Sequence, residues 1–178
     1  MAVEVPLPEP RIADEQVQLV DAHNRPCGSA TRAAMRRLGY WHRATYIVVR
    51  NVRGELCVQR RTLTKEAFPG GLDLAAGGVV GAGEAVHVAA RRELAEELGI
   101  RRRSLPYRGE FVYCAGGHHI FASLFVVDHD GPLTLQVAEV AEAFWLPPSQ
   151  ALALPAVTPD TRQAVQMLLA NGELEGTQ

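Results

Sequence analysis

The chain has 178 residues, 47% hydrophobic and 21% charged, enough for one domain with a sizeable core. Its formal net charge of −2 gives no general attraction to nucleic acid or to an anionic membrane. Its three scattered cysteines, Cys27, Cys57 and Cys114, make neither a disulfide framework nor a Cys-x-x-Cys metal pair, which suits a reducing compartment.

Met1 to Pro10 lacks the basic-then-apolar order of a signal peptide. No apolar run approaches the roughly 20 residues of a membrane span, so the expected location is the cytoplasm. The proline-rich stretch 1–14 reads as a flexible arm, 15–170 as a single domain, and 171–178 as a flexible polar tail. Val17 to Val20 suits a short strand, and Ala30 to Leu38 a short helix ended near Gly39. Thr45 to Val49 is β-branched and apolar, as a buried strand requires. Asn51 to Gly54 supplies turn chemistry, and Leu56 and Val58 alternate with their neighbours, so a hairpin is expected.

Pro69-Gly70-Gly71 marks a loop, and Leu72 to Ala76 a short strand. A glycine-rich loop, 77–83, leads into the best helical stretch, Glu84 to Leu98, with Gly99 placed as its C-cap. Strands are expected around Gly109–Tyr113, Ile120–Val127 and Val140–Trp145. Thr158-Pro159-Asp160 starts a last helix, to about Ala170. Helices interrupting strands give a mixed α/β or α+β domain.

The chemistry is concentrated in Gly78-Val-Val-Gly-Ala-Gly-Glu84, seven residues, then Arg92-Glu93-Leu94-Ala95-Glu96-Glu97-Leu98-Gly99-Ile100. Residues three and four apart on a helix share a face, so Glu93, Glu96 and Glu97 cluster on one side. Leu94 and Leu98 form an apolar edge for packing on a sheet. Three neighbouring carboxylates repel one another unless a hard cation lies between them. Mg²⁺ and Mn²⁺ take oxygen ligands and also bind phosphate oxygens. Arg92 reaches Glu96 at i+4 and is placed to hold a carboxylate or a phosphate. Gly77 and Gly78 let the backbone approach a ligand closely. Glu84, at the expected helix start, suits the macrodipole. A solvated acidic face is the bland alternative for any Glu-Glu pair, but it does not account for nine matching positions at fixed spacing.

This pattern, Gly-x5-Glu-x7-Arg-Glu-apolar-x-Glu-Glu-x-Gly-apolar, resembles the Nudix box without departure. The resemblance implies the Nudix fold, a mixed β-sheet sandwiched between helices with the box as loop-helix-loop. It implies hydrolysis of a diphosphate bond in a small molecule, a nucleoside diphosphate derivative or related pyrophosphate, with Mg²⁺ or Mn²⁺. By the same resemblance Glu96 and Glu97 are metal ligands, and Glu93 is a third ligand or the base. Arg92 orients the glutamates, and a backbone carbonyl of Gly77 or Gly78 joins the metal shell. Glu84 and Gly99 are structural. Glu139, just before Phe144-Trp145-Leu146, resembles a glutamate that approaches the metal or the nucleophilic water.

Gln59-Arg60-Arg61-Thr62-Leu63-Thr64-Lys65 and Phe68-Pro69-Gly70 resemble the region before the box in isopentenyl-diphosphate isomerases, which implies diphosphate contacts for Arg61 and Lys65. The isomerase reaction needs a cysteine where this chain has Ala76. The better match is therefore the isomerase-like Nudix hydrolase branch, the YfcD-like group. Two alternatives stand beside it: an isomerase, and a nucleotide-binding Nudix module retired from catalysis. No motif specifies an oligomeric state. Cys57 should point away from the face shared by Leu56 and Val58, and no cysteine sulfur should stand within about 6 Å of the Glu96 and Glu97 carboxylates. Arg61 should share the Cys57 side unless a bulge intervenes.

Overall fold

The central strands are buried almost continuously because successive side chains point to opposite faces of the sheet and each face is covered by helix. The computed structural model describes residues 12–174. Its strands are β1 (Gln16–Val20), β2 (Pro26–Thr31), β3 (Trp41–Arg50), β4 (Leu56–Arg61), β5 (Leu72–Asp73), β6 (Tyr107–Ala115), β7 (His118–Asp128) and β8 (Val140–Leu146). The helices are α1 (Arg32–Leu38), α2 (Val86–Leu98), α3 (Pro148–Ala153) and α4 (Pro159–Ala170).

β3 is the axis of the fold. It runs parallel to β7 from Trp41↔His119 to Arg50↔Asp128, and β6 closes on β7 antiparallel. The expected β3–β4 hairpin forms, but the two strands share only the pair Arg50↔Leu56 before diverging. β4 then pairs with β8 and β5. Into the resulting split comes the loop that leads to α2. It bridges β3 at Ile47↔Ala76 and Ala44↔Val79. The divergence thus brings the glycine-rich loop to the centre of the sheet.

On one face Val48, Leu56, Val58 and Leu72 pack with Ala164, Val165 and Leu168 of α4. On the other, Ile47, Val49, Cys57 and Ala76 pack with Ala90, Leu94 and Leu98 of α2. The domain is therefore the expected mixed sheet between helices. Leu94 and Leu98 are fully buried, and each contributes about 1.5–3 kcal/mol through removal of apolar surface from water.

Several expectations shift. α2 begins at Val86 with Ala85 as N-cap, so Glu84 lies before the helix. Thr158 is the N-cap residue of α4 as expected, but its side chain makes no cap bond; its hydroxyl donates to Asp73 Oδ1 at 2.6 Å. The expected arm 1–14 falls outside the described residues up to position 11, and Ile12–Asp14 is a single 3₁₀ turn. The expected flexible tail starts too early at 171. Leu174 is buried in the α4-side core and Glu173 pairs with Arg108 at 2.9 Å. Residues 175–178 lie outside the described residues.

Candidate active site

Leu94 and Leu98 anchor α2 to the sheet, which turns its acidic side toward the glycine-rich loop. Arg92 organises that side. Its guanidinium donates to both oxygens of Glu84, at 2.9 and 3.0 Å, to Glu93 at 2.8 Å and to Glu96 at 3.2 Å. Glu84 in turn accepts the Gly81 N–H at 2.9 Å. It therefore ties the loop to the helix rather than serving the macrodipole. Burial raises the Glu84 carboxyl, but Arg92 and the Gly81 N–H outweigh it and leave it below the ordinary value.

Glu97 sits deepest. Its Oε2 accepts the Gly77 N–H at 3.2 Å and the Gln59 amide at 3.3 Å. Burial, then repulsion from Glu93, pushes its carboxyl well above the ordinary range. Glu93 is also raised by burial, against the pull of Arg92, with Glu96 and Glu139 adding repulsion.

The two glycines have different reasons. Gly77 has φ +144°, and a Cβ there would stand 1.8 Å from the Thr45 carbonyl oxygen. At Gly78 a Cβ would meet the Glu93 carboxylate at 2.5 Å, so hydrogen is the side chain that leaves room for the acid. The Gly78 carbonyl is turned to β3, where it accepts the Thr45 N–H at 2.9 Å.

The acids open onto a cleft of ≈ 420 Å³ whose lining includes Glu93, Glu96, Arg92, Gly77 and Gly78. Glu139 lines it from the loop before β8, ion-paired to Lys65. The structure thus gathers Glu93, Glu96, Arg92, Gly77, Gly78, Lys65 and Glu139 in one cleft, with Glu97 behind Gly77. Gly99, left-handed at φ +70°, caps α2 as expected.

Arg61 is not in the cleft. The register of β4 on β8 shifts between Arg60 and Arg61, with Ala141 of β8 as the extra residue. Its guanidinium donates to Asp73 at 2.6 Å and to the Ala67 carbonyl at 3.0 and 2.8 Å. It lines an adjoining cavity of ≈ 100 Å³. Arg32, Lys65, Gly77 and Gly78 line both spaces, so the two are contiguous.

Cys57 points away from Leu56 and Val58, as alternation requires, but this turns it toward α2. It packs among Ala76, Leu94 and Leu98, and burial and nearby Glu97 push its thiol up to about 12. Cys57 lines neither the cleft nor the cavity. Ala76 lines the cavity instead. His42, also on the cavity, is driven down to about 4 by burial and is neutral at physiological pH; its Nδ1 lies 3.0 Å from the Tyr40 carbonyl.

Among the described residues no three His, Cys, Asp or Glu side chains form a ready-made metal-ligand set. Arg92 engages Glu93 and Glu96, Gln59 and Gly77 engage Glu97, and Lys65 engages Glu139. The donor set nonetheless fits a hard divalent cation. It is all oxygen, sits on one helix face, and holds two buried carboxylates, Glu93 and Glu97, each raised first by burial, with Glu96 and Glu139 adding repulsion at Glu93 and Glu93 adding it at Glu97.

The family model for the NUDIX domain matches residues 40–168. The chain belongs to the Nudix family. It is 45% identical over 159 residues to an uncharacterized Nudix hydrolase of Pseudomonas aeruginosa, PA4841, covering 87% of this chain and 94% of that one. It is 41% identical over 154 residues to the Nudix hydrolase YfcD of Escherichia coli, covering 86% of each. The crystal structure of DR0079 from Deinococcus radiodurans superposes with a TM-score of 0.75 at 27% identity, over 86% of this chain and 98% of that one. These relatives bear out the YfcD-like branch, and with it the general activity of a Nudix pyrophosphohydrolase. Nudix enzymes generally use divalent metal ions and act on small molecules. Among the described residues no helix is long and apolar enough to cross a membrane.

Sequence reasoning missed Gln59, Arg32 and Gln136 around the acids, and Asp73, Thr158 and Asp160 on the cavity. Only Gln59 carried a usable signal: a polar residue in register with Cys57 on a buried strand.

Proposed function

We propose that this Nudix enzyme hydrolyses a diphosphate bond in a nucleoside diphosphate derivative or related pyrophosphate, using Mg²⁺ or Mn²⁺ held by Glu93, Glu96 and Glu97. The observation that carries the reading is Arg92 bound at once to Glu84, Glu93 and Glu96 beside buried Glu97, across a cleft from Lys65. The Gly78 carbonyl already serves Thr45, which favours Gly77 as the backbone ligand. When bound, the cation neutralises phosphate oxygens and acidifies water at the site.

The residues of the chain supply the rest. Lys65 and Arg32, at the junction of cleft and cavity, meet the diphosphate and hold it in line; Arg61 reaches it from the cavity side. Water forms the new P–O bond as the bridging P–O bond breaks, and Glu93 or Glu139 accepts the water's proton. Lys65 must then exchange part of its contact with Glu139 for phosphate. The single domain would work in the reducing cytoplasm, where Cys27, Cys57 and Cys114 stay free thiols as they are here. The isomerase reading loses support because Ala76 occupies the cavity wall and Cys57 does not reach the cavity. Phosphate release across a panel of nucleoside diphosphate derivatives and prenyl diphosphates tests the reading. Turnover of at least one member with Mg²⁺ is expected. Binding without turnover of any member would favour the retired module, and double-bond migration in a prenyl diphosphate would favour the isomerase.

A further inference from the structure

The cavity beside the acid cleft has a polar inner end that the hydrolytic machinery does not use. Asp160, at the start of α4, lines it. Its Oδ2 accepts the Tyr46 hydroxyl at 2.9 Å, while its Oδ1 is buried and has no donor. A buried acceptor left unpaired costs free energy comparable to a lost hydrogen bond. Of the polar groups on the same cavity, Tyr113 and His118 do not reach Oδ1, and those nearest in the hydrogen-bond network are already engaged. Thr158 donates to Asp73, and Asp73 also accepts from Arg61. Tyr46 is spoken for by Oδ2. The unmet demand at this end is therefore for one donor.

We propose that the cavity receives one end of the diphosphate substrate, and that this end is a small neutral group bearing a hydroxyl, which donates to Asp160 Oδ1. The inference rests on the hydrolase reading for the position of the diphosphate, at Arg32 and Lys65 where cleft and cavity join. Size narrows the class. At ≈ 100 Å³ the cavity is well below the roughly 300–1,000 Å³ of pockets that enclose a drug-sized ligand, so it admits a short polyol- or sugar-like moiety and no nucleobase. Charge narrows it further. Arg32, Arg36, Arg61 and Lys65 line the cavity and outnumber its two carboxylates, Asp73 and Asp160, so the net field opposes an ammonium group. A plain hydrocarbon tail would leave Oδ1 dry and unpaired.

The test measures binding, so it does not depend on turnover. Diphosphate esters of 3-hydroxypropanol, 4-hydroxybutanol and 5-hydroxypentanol are compared, with Mg²⁺, against alkyl diphosphates of equal heavy-atom count by calorimetry. At one chain length the hydroxylated ester is expected to bind about ten- to hundredfold tighter than its alkyl partner. Asp160→Ala is expected to reduce that ratio below about threefold, whereas Tyr46→Phe, which leaves Oδ1 in place, is expected to keep it. The wild-type ratios alone decide the matter if Asp160→Ala does not fold. Equal or tighter binding of the alkyl esters at all three lengths would overturn the proposal. A clear hydroxyl preference without phosphate release would leave the cavity assignment standing and remove the hydrolase reading instead.

Discussion

Alanine at Gly77 and at Gly78 should have opposite consequences, although the residues are adjacent. A Cβ on Gly77 would lie 1.8 Å from the backbone oxygen of Thr45, and the backbone is already at φ +144°. No rotamer relieves a clash with backbone. The loop must instead pull away from β3, endangering the bonds Ile47 N–H to Ala76 O at 2.7 Å, Ala76 N–H to Ile47 O at 2.9 Å and Thr45 N–H to Gly78 O at 2.9 Å. Three such bonds at about 0.5–1.5 kcal/mol each, with about 1–2 kcal/mol for the backbone conformation, make a loss of about 2.5–6.5 kcal/mol. For a chain of this length that lowers Tm by about 10 °C. At Gly78 the added Cβ meets only the end of the Glu93 side chain, at 2.5 Å, which can swing aside. Gly78→Ala should therefore keep Tm within about 3 °C but displace Glu93 and lower kcat at least about tenfold. Scanning calorimetry and phosphate release on the two variants check this. A Gly77→Ala protein that melts within 2–3 °C of wild type would refute the packing argument.

Three further outcomes are expected. Glu97→Gln removes a buried charge while keeping its shape, so Tm without metal should hold or rise, whereas kcat should fall by about 10² or more; a loss under threefold would remove Glu97 from the site. Arg61→Met strips buried Asp73 of its cation, and urea denaturation should show a loss of about 3–5 kcal/mol, far more than an exposed pair would cost. His42 has a folded pKa of about 4 against an ordinary 6.5, so the unfolded chain takes up a proton first. Its contribution is fully present above pH 6.5 and is lost as pH falls toward 4, up to about 3 kcal/mol, and His42→Gln should flatten that part of the urea-stability profile.

The box was legible because its chemistry is local. Glu93, Glu96 and Glu97 share a helix face by spacing alone, and Leu94 and Leu98 show which face is buried. The core strands β3 and β7 were legible from their β-branched runs. β2 was not: Pro26–Thr31 is largely exposed and carries no alternation. Nor was α3, whose six residues are too few to show a period. The structural role of Glu84 was legible but its reason was not, because its partner, Arg92, lies eight positions on, across a loop-to-helix junction. The cavity was invisible for a stronger version of the same reason. Asp73 meets Thr158, and Tyr46 meets Asp160, across separations of 85 and 114 residues, which no spacing rule encodes.

In the proposed reaction Glu93, Glu96 and Glu97 act through a divalent cation. The most direct measurement is phosphate release from a diphosphate substrate found in the panel, in EDTA and again after excess Mg²⁺ or Mn²⁺. The expected result is no turnover in chelator and full recovery with either ion. Undiminished turnover in EDTA would contradict the account.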